Sequence, residues 1–218
     1  MYENAFEASC SVWPPVGKDE LSVLLNKHAS VHTLDLSGCE LLNALPDNVG
    51  RCYKLVVLTL SECRALTSIP ASLGNCACLE TLNCYHCVSL VTLPEGMTHL
   101  TNLRTLNMRH CVAIKELPES LGRITSLRTL GMLNCTELVA LPTSLGGCAG
   151  LWKLELGQCS KLKELPESFG LLTSLQKCEL YGCNLIQTLP KSLGGCINRT
   201  SPRNRAGRPF VGLIRSSA

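Results

Sequence analysis

The stretch that decides the fold is LRTLNMRHCVAIKELPESLGRITS, residues 103–126, because the sequence on both sides of it overlays on it position by position. Seven such blocks of 24 residues follow one another from residue 31 to residue 198 without an insertion or a deletion. We number the positions of each block from 1 to 24, so that Leu103 is position 1 and Ser126 is position 24. A fixed period of this length predicts an array in which each block packs only against its neighbours.

The apolar positions of the block indicate a strand that is followed by a return turn. Leucine or another apolar residue fills positions 1, 4, 6, 12, 15 and 19, with Cys84 and Cys178 as substitutes at positions 6 and 4. The alternation at positions 4 and 6 has the period of a β-strand whose side chains at those positions point inward. Position 16 is proline in all seven blocks and position 20 is glycine in six, which predicts a short helical or 3₁₀ turn.

Together these columns predict an α/β leucine-rich repeat solenoid. Its seven 24-residue coils over residues 31–198 form a right-handed horseshoe, with a parallel sheet on the concave face and short 3₁₀ turns on the convex face. Residues 1–30 are predicted to be an N-terminal segment with a capping helix near residues 18–28, whose start Asp19 would cap. Residues 199–218 contain five arginines and no acidic residue, and we predict a basic, disordered C-terminal tail there.

The composition and the start of the sequence predict an intracellular protein. No run of about 18 apolar residues exists that would span a membrane. The first residues, MYENAFEASC, contain two glutamates and lack the apolar core of a secretory signal. The net charge of +3 comes from the tail, since the five arginines there leave residues 1–198 at −2. We therefore expect a cytoplasmic or nuclear location, and neither a membrane nor a nucleic acid as a partner.

The fifteen cysteines raise the alternatives of disulfides and of a zinc site. Position 9 is cysteine in all seven blocks, position 22 is cysteine in four, and only Cys10 and Cys78 lie outside the inward columns. Because a small thiol with a weak S–H donor suits the buried end of a strand, we predict a ladder of reduced structural thiols. The segment from Cys76 to Cys87 holds four cysteines and His86 and superficially resembles a zinc cluster. The repeat columns already explain three of those cysteines, so we expect no metal and no cofactor.

Catalytic motifs are absent from the sequence, which contains no phosphate-binding loop, no nucleophile elbow and no HExxH motif, and we expect no enzyme. What remains is the concave face, formed by the side chains at positions 2, 3, 5, 7 and 8. In the central coils this face carries the aromatic and basic residue types that are frequent at binding hot spots. The candidate protein-binding residues are Tyr85, His86, Arg104, Arg109, His110, Arg128, Leu133 and Trp152. The alternative is a solvated face without a partner, because single exposed aromatic residues are common.

Two of these candidates define a more specific expectation. Arg104 and Arg128 occupy position 2 of neighbouring coils, so they are expected to stand about 5 Å apart. Two like charges at that spacing would favour an acidic group that binds across both.

The string LxxLxLxxCxxLxxLPxSLGxLxx, as in residues 103–126 and 151–174, resembles the leucine-rich repeats of plant intracellular nucleotide-binding disease-resistance proteins of the Toll-type class. The resemblance covers residues 31–198 and includes the period, the cysteine column and the Leu-Pro column. It implies a non-enzymatic recognition module of the defence response, which binds a protein through the concave face, with a monomer as the default state. The sequence contains neither a nucleotide-binding region nor a Toll-type domain, so ATPase switching is not implied. The alternative is a free-standing intracellular leucine-rich repeat scaffold in signalling, similar to the Ras-group repeat proteins.

Overall fold

The computed structural model describes the backbone of residues 8–9 and the whole of residues 16–192. Eight strands lie in chain order in one parallel sheet. Their bounds are Ala8–Ser9 (β1), Thr33–Asp35 (β2), Val57–Thr59 (β3), Thr81–Asn83 (β4), Thr105–Asn107 (β5), Thr129–Gly131 (β6), Lys153–Glu155 (β7) and Lys177–Glu179 (β8). One α-helix, α1 (Lys18–Lys27), precedes β2. The 3₁₀ turns are Asp47–Arg51, Ala71–Asn75, Glu95–His99, Glu119–Arg123, Thr143–Gly147 and Glu167–Leu171.

The register of the sheet follows the 24-residue period. From β2 to β8 each residue lies opposite its equivalent in the next coil, as Leu82 lies opposite Leu106 and Leu106 opposite Leu130. Each of these strands occupies positions 3 to 5, and the residue at position 4 is buried. The inward columns therefore stack on themselves along the whole sheet. This confirms the predicted solenoid of seven coils with a parallel sheet and short 3₁₀ turns.

The strand β1 is an addition that the repeat does not predict. Ala8 lies opposite Leu34 and Ser9 opposite Asp35, a separation of 26 residues instead of 24. Because this offset falls outside the repeat frame, the periodic pattern gives no sign of the strand. β1 pairs with the first edge of the sheet, whose backbone groups would otherwise lack partners there.

Helix α1 packs on the return turn of the first coil. Leu21 and Leu25 are buried in the core, and the Asn48 amide donates to a backbone carbonyl of the helix at 2.7 Å. The predicted cap is wrong, since the helix begins after Gly17 and Asp19 lies inside its first turn. In that place the carboxylate of Asp19 is stabilised by the positive end of the helix dipole.

The thiols at position 9 form a hydrogen-bonded ladder inside the solenoid. From the second coil onward, each thiol donates to the position-6 carbonyl of the preceding coil. The sulfur-to-oxygen distances include 3.0 Å for Cys63, 3.2 Å for Cys135 and 2.9 Å for Cys183. The predicted role of these cysteines as small buried donors is confirmed.

We predict that nearly all of the cysteines are reduced, and Cys39 is an exception, because it is disulfide-bonded. The other twelve cysteines among residues 16–192 are free. Cys10 and Cys196, to which the prediction also applied, lie outside the described residues.

Successive return turns touch at position 20. A Cβ atom at Gly122 would lie 2.0 Å from the carbonyl oxygen of Ser144, so a side chain cannot fit between the two turns. The same turns are joined by Glu119, whose carboxylate accepts the backbone N–H of Thr143 at 2.8 Å and of Ser144 at 3.0 Å. The acidic residue after the proline therefore caps the turn of the following coil rather than its own.

Two further predictions concern the C-terminal tail and membrane-spanning segments. The predicted tail over residues 199–218 lies outside the described residues. Within the described ranges, no helix has both the length and the apolar character needed to cross a membrane.

Candidate protein-recognition surface

The chain leaves each strand through a left-handed residue at position 8. Its φ angle lies between 58° and 76° in all seven coils, at Gly38, Glu62, His86, His110, Asn134, Gln158 and Gly182. This backbone conformation costs a residue other than glycine about 1 to 2 kcal/mol. The candidates His86 and His110 therefore lie on a constrained turn at the carboxyl edge of the sheet, rather than in the sheet itself.

Three of the candidate residues form one aromatic cluster at that edge. The ring centroid of Tyr85 lies 5.4 Å from that of His110 and 5.8 Å from that of His86, and the two imidazoles lie 5.9 Å apart. The Asn134 amide nitrogen lies 3.1 Å from His110 Nδ1 and fixes that ring. Edge-to-face contacts of this kind are favourable for aromatic rings. The cluster presents a rigid surface, with Tyr85 36% exposed.

The side chain of Arg109 forms an ion pair within the protein. Its guanidinium reaches across β6 and forms an ion pair with Glu155 in β7, two coils further along the sheet. Gly131 leaves the room for this contact, since a Cβ atom there would lie 3.3 Å from Glu155 Oε2 and 3.4 Å from Arg109 Cγ. Lys153 Nζ lies 2.8 Å from the other carboxylate oxygen of Glu155. Arg109 therefore braces coils four to six instead of facing a partner as a free cation.

The electrostatics of this brace keep Glu155 ionised. Burial alone would raise the pKa of Glu155, which is only 7% exposed. The hydrogen bond from Lys153 and the charges of Arg109 and Lys153 outweigh burial and lower the pKa below its ordinary value. The three side chains form a fixed network in the middle of the concave face.

The two arginines of position 2 are in different environments. Arg104 Nη1 lies 3.7 Å from Glu80 Oε2, on the same position of the preceding coil. Arg128 forms no ion pair within residues 16–192. Its guanidinium lies over Gly150, where an added Cβ atom would stand 1.4 Å from Arg128 Nη1. One of the two arginines therefore has an acidic neighbour and the other has none, and the acidic site shared by both stays a prediction.

Arg128 and Trp152 line an open cleft of about 1080 Å³ at the edge where the strands begin. The cleft runs over the ends of coils four to six and the start of coil seven. Its other walls include Thr125, Gly150, Thr173, Ser174 and Gln176. Trp152 is 43% exposed there. The sequence analysis identified the arginine and the tryptophan but not the cleft, because the loop residues of positions 23 and 24 lie outside the strand columns.

A second apolar feature lies on position 7 of coils five to seven. The ring of Tyr181 and the side chain of Leu133 both lie over Gly157, where an added Cβ atom would be 2.5 Å from the ring and 3.1 Å from the leucine. Burial, and then the nearby charges of Glu179 and Glu155, raise the pKa of Tyr181. Tyr181 was missed by the sequence analysis, although a glycine between two large residues in one outward column was a visible signal.

The cysteine-rich segment does not assemble a metal site. Cys76, Cys84 and Cys87 are buried in their repeat columns, and Cys78 is exposed. In the part of the chain that the structure describes, no group of three or more histidine, cysteine or acidic side chains is placed to hold a metal ion.

Comparisons with known proteins place the chain among leucine-rich repeat structures. The family profile described as Leucine Rich Repeat matches residues 30–52. No curated protein matches the chain. The leucine-rich repeat domain of the type III effector XCV3220 (XopL) is 27% identical, with a TM-score of 0.63 over 77% of this chain and 58% of that one. The Arabidopsis receptor kinase HAESA, solved with the peptide hormone IDA and the co-receptor SERK1, is 24% identical, with a TM-score of 0.50 over 87% of this chain and 36% of that one.

These similarities establish the fold, a leucine-rich repeat solenoid. The chain spans only 58% of the effector domain and 36% of the receptor kinase chain. Leucine-rich repeat modules generally mediate protein recognition and are typically not enzymes.

Proposed function

We propose that this protein is a non-enzymatic recognition module that binds a protein partner through its concave face. The observation that carries the proposal is the contrast between inward and outward columns. Position 9 is cysteine and position 4 is leucine or cysteine in every coil, whereas position 7 changes from serine in the first two coils to Tyr85, Arg109, Leu133, Gly157 and Tyr181. Packing requires only the inward columns, so the outward variation is free to serve a partner.

The contacts of the outward residues support this role. Tyr85 stands in a cluster of rings, and Leu133 and Tyr181 both lie over Gly157. Tyrosines that are held in this way provide apolar contact area at low entropic cost. The brace between Arg109 and Glu155 holds the surface between these two apolar features in a fixed shape. A partner would therefore meet a preorganised surface.

For the biological role we propose recognition in a plant defence response, as in the repeats of nucleotide-binding disease-resistance proteins, and a cytoplasmic or nuclear location. The support is the combination of the 24-residue period, the cysteine column and the Leu-Pro column. We propose that the module binds as a monomer. The second candidate is a constitutive intracellular scaffold in signalling, which the same columns and the same surface would serve.

The experiment that tests the recognition function is affinity capture from source cells with three matched, folded forms of the full chain. These are the wild type, a concave variant with Tyr85→Ala and Leu133→Ala, and a convex variant with Lys115→Glu and Lys163→Glu. Lys115 and Lys163 are exposed and far from the concave columns. We expect at least one protein that the wild type and the convex variant retain and that the concave variant loses.

Three outcomes would contradict the proposal: equal retention by all three forms, loss with the convex variant only, or no retained protein at all. The comparison of resting with immune-stimulated cells separates the two candidate roles. A partner retained only after stimulation favours the sensing module, whereas equal amounts in both states favour the scaffold.

A further inference from the structure

We propose that the cleft beside Trp152 binds an extended peptide segment of the partner and that Arg128 pairs with an aspartate or glutamate side chain of that segment. This inference rests on the protein-recognition function proposed above. It specifies that a peptide segment of the partner enters the cleft and that Arg128 selects the acidic residue of this segment.

The first argument is the state of Arg128. Arg104 and Arg109 both have acidic neighbours, Glu80 and Glu155, whereas Arg128 has none within the described residues. Its guanidinium lies on the backbone at Gly150, in space that any other residue type would fill. An exposed guanidinium without a counter-charge has all of its donors available, and it can bind a carboxylate with two hydrogen bonds.

The second argument is the charge of the cleft. Apart from Arg128, every residue that lines it is neutral: the walls are threonine, serine, glutamine, tryptophan, leucine, alanine and glycine side chains. One guanidinium balances the single charge of a carboxylate. A phosphate group carries close to two charges at neutral pH, and the single guanidinium that lines this cleft would balance only one of them. The cleft therefore favours an acidic side chain over a phosphorylated one.

The third argument is the shape and the remaining chemistry of the walls. The cleft runs over the strand starts of three neighbouring coils, which is two strand spacings or about 10 Å, and an extended peptide of about three residues covers that length. Trp152, which is 43% exposed, provides the apolar contact area of the cleft. The side chains of Thr125, Ser174 and Gln176 make no hydrogen bond within residues 16–192 and offer donors and acceptors to a peptide backbone. We therefore expect an acidic residue next to a large apolar one.

The experiment starts from a displayed library of random twelve-residue peptides that is selected on the immobilised full chain. We expect the wild type to enrich sequences with aspartate or glutamate beside leucine, isoleucine or an aromatic residue. Arg128→Glu should enrich lysine or arginine at that place instead. Arg123→Glu is the matched control, because Arg123 is also exposed and also lacks an ion pair within the described residues, but belongs to a convex turn. This variant should enrich the same sequences as the wild type.

The second stage measures the affinity of one enriched peptide, synthesised with blocked ends. The chain has two tryptophans, so Trp13→Phe leaves Trp152 as the sole fluorescent reporter in the cleft. Arg128→Gln should weaken binding by at least about tenfold, the loss expected of a hot-spot residue. Gly150→Ala places a methyl group where the guanidinium of Arg128 lies, so this variant should also weaken peptide binding. Replacing the acidic residue of the peptide by its amide should have no further effect on Arg128→Gln.

The inference is overturned if Arg128→Glu and Arg123→Glu enrich the same sequences, if the enriched sequences lack acidic residues, or if no sequence is enriched. These results leave the broader function to be decided separately by the capture experiment. Peptides whose binding is lost with Tyr85→Ala and Leu133→Ala, but not with Arg128→Gln, would support concave recognition and exclude this cleft.

Discussion

The side chains on the inner face and on the outer face of the sheet make different kinds of contact. On the inner face the contacts repeat with the sequence, so that leucine lies opposite leucine and each position-9 thiol donates to the coil before it. On the outer face the contacts differ from coil to coil: Arg104 pairs with Glu80 of the preceding coil, whereas Arg109 skips a coil to reach Glu155 across Gly131. The inner contacts give stability that is shared equally among coils. The outer contacts give the central coils an individual surface, and we assign recognition to that surface.

The largest expected effect is a loss of folding stability at alkaline pH, which tests the burial of the inner face. Burial raises the pKa of the thiols of Cys63, Cys76, Cys135 and Cys178 to about 12. In the unfolded chain a cysteine ionises near pH 8.5. Because the folded pKa is the higher one, the stability is complete below about pH 8.5 and falls as the pH rises toward 12, by about 1.4 kcal/mol per pH unit for each thiol.

Urea titrations under reducing conditions at neutral pH and at moderately alkaline pH measure this loss. We expect the unfolding midpoint to fall steeply, since several thiols contribute together. A midpoint that stays constant as the pH rises above the pKa of a free thiol would mean that these inward thiols are not shielded from solvent.

The next effect compares neighbouring residues of β6 that point to opposite faces. Leu130 is fully buried, so Leu130→Ala should lower the free energy of unfolding by about 2 to 5 kcal/mol through lost burial and a cavity. Thr129 is only half-buried on the outer side, and Thr129→Ala should cost less than about 0.5 kcal/mol. Urea unfolding measures both. Equal losses would mean that the strand register is wrong.

A smaller effect separates the buried brace of the outer face from an ordinary surface ion pair. Arg109→Met should lower the free energy of unfolding by about 1 to 2 kcal/mol, because it removes a charged hydrogen bond to a buried carboxylate. Arg104→Met is the control, since its ion pair with Glu80 is exposed and should contribute less than about 0.5 kcal/mol.

Acid titration sharpens this comparison. The folded-state pKa of Glu155 is lowered, so its contribution is present above the unfolded value of about 4.3 and is lost as the pH falls below it. Part of the acid sensitivity of the wild type should therefore be absent from Arg109→Met. If Arg104→Met and Arg109→Met behave alike in both titrations, the brace is not a distinct feature of the concave face.

The smallest of these effects concerns a single thiol hydrogen bond. Cys135→Ala removes a buried donor to the position-6 carbonyl of the preceding coil and should cost about 0.5 to 1.5 kcal/mol. Cys78 is exposed and lies outside the ladder, so Cys78→Ala should change the stability by less than about 0.5 kcal/mol. A thermal scan of both variants under reducing conditions would show the difference, and no difference would remove the ladder as a source of stability.

The sequence predicted the inner face well because packing there depends only on residue type and period. Every coil must bury the same columns, so one block is enough to place the strand, the turn and the thiol. β1 escaped this reasoning, because it pairs with an offset of 26 residues. The helix begins at Lys18 as predicted, but the capping residue was wrong, since Gly17 rather than Asp19 precedes the first turn.

The outer face was predicted only as a list of exposed residue types. The placement of two arginines depends on glycines: Gly131 of the next coil lets Arg109 reach Glu155, and Gly150, at the end of the same coil, leaves space for the guanidinium of Arg128. Such contacts join residues two coils apart or from different columns, and no periodic pattern contains them. The useful signal was a glycine in an outward position beside long side chains, as at Gly157 under Leu133 and Tyr181.

The most direct test of the division between the two faces is hydrogen exchange of the full chain with and without the captured partner. If the inner face builds the fold and the outer face recognises the partner, binding should slow exchange at the start of β4 to β8 and at the left-handed residues after them. The convex turns Glu95–His99 and Glu119–Arg123 should exchange at the same rate in both samples. Slower exchange in those turns, with unchanged strand edges, would contradict the account.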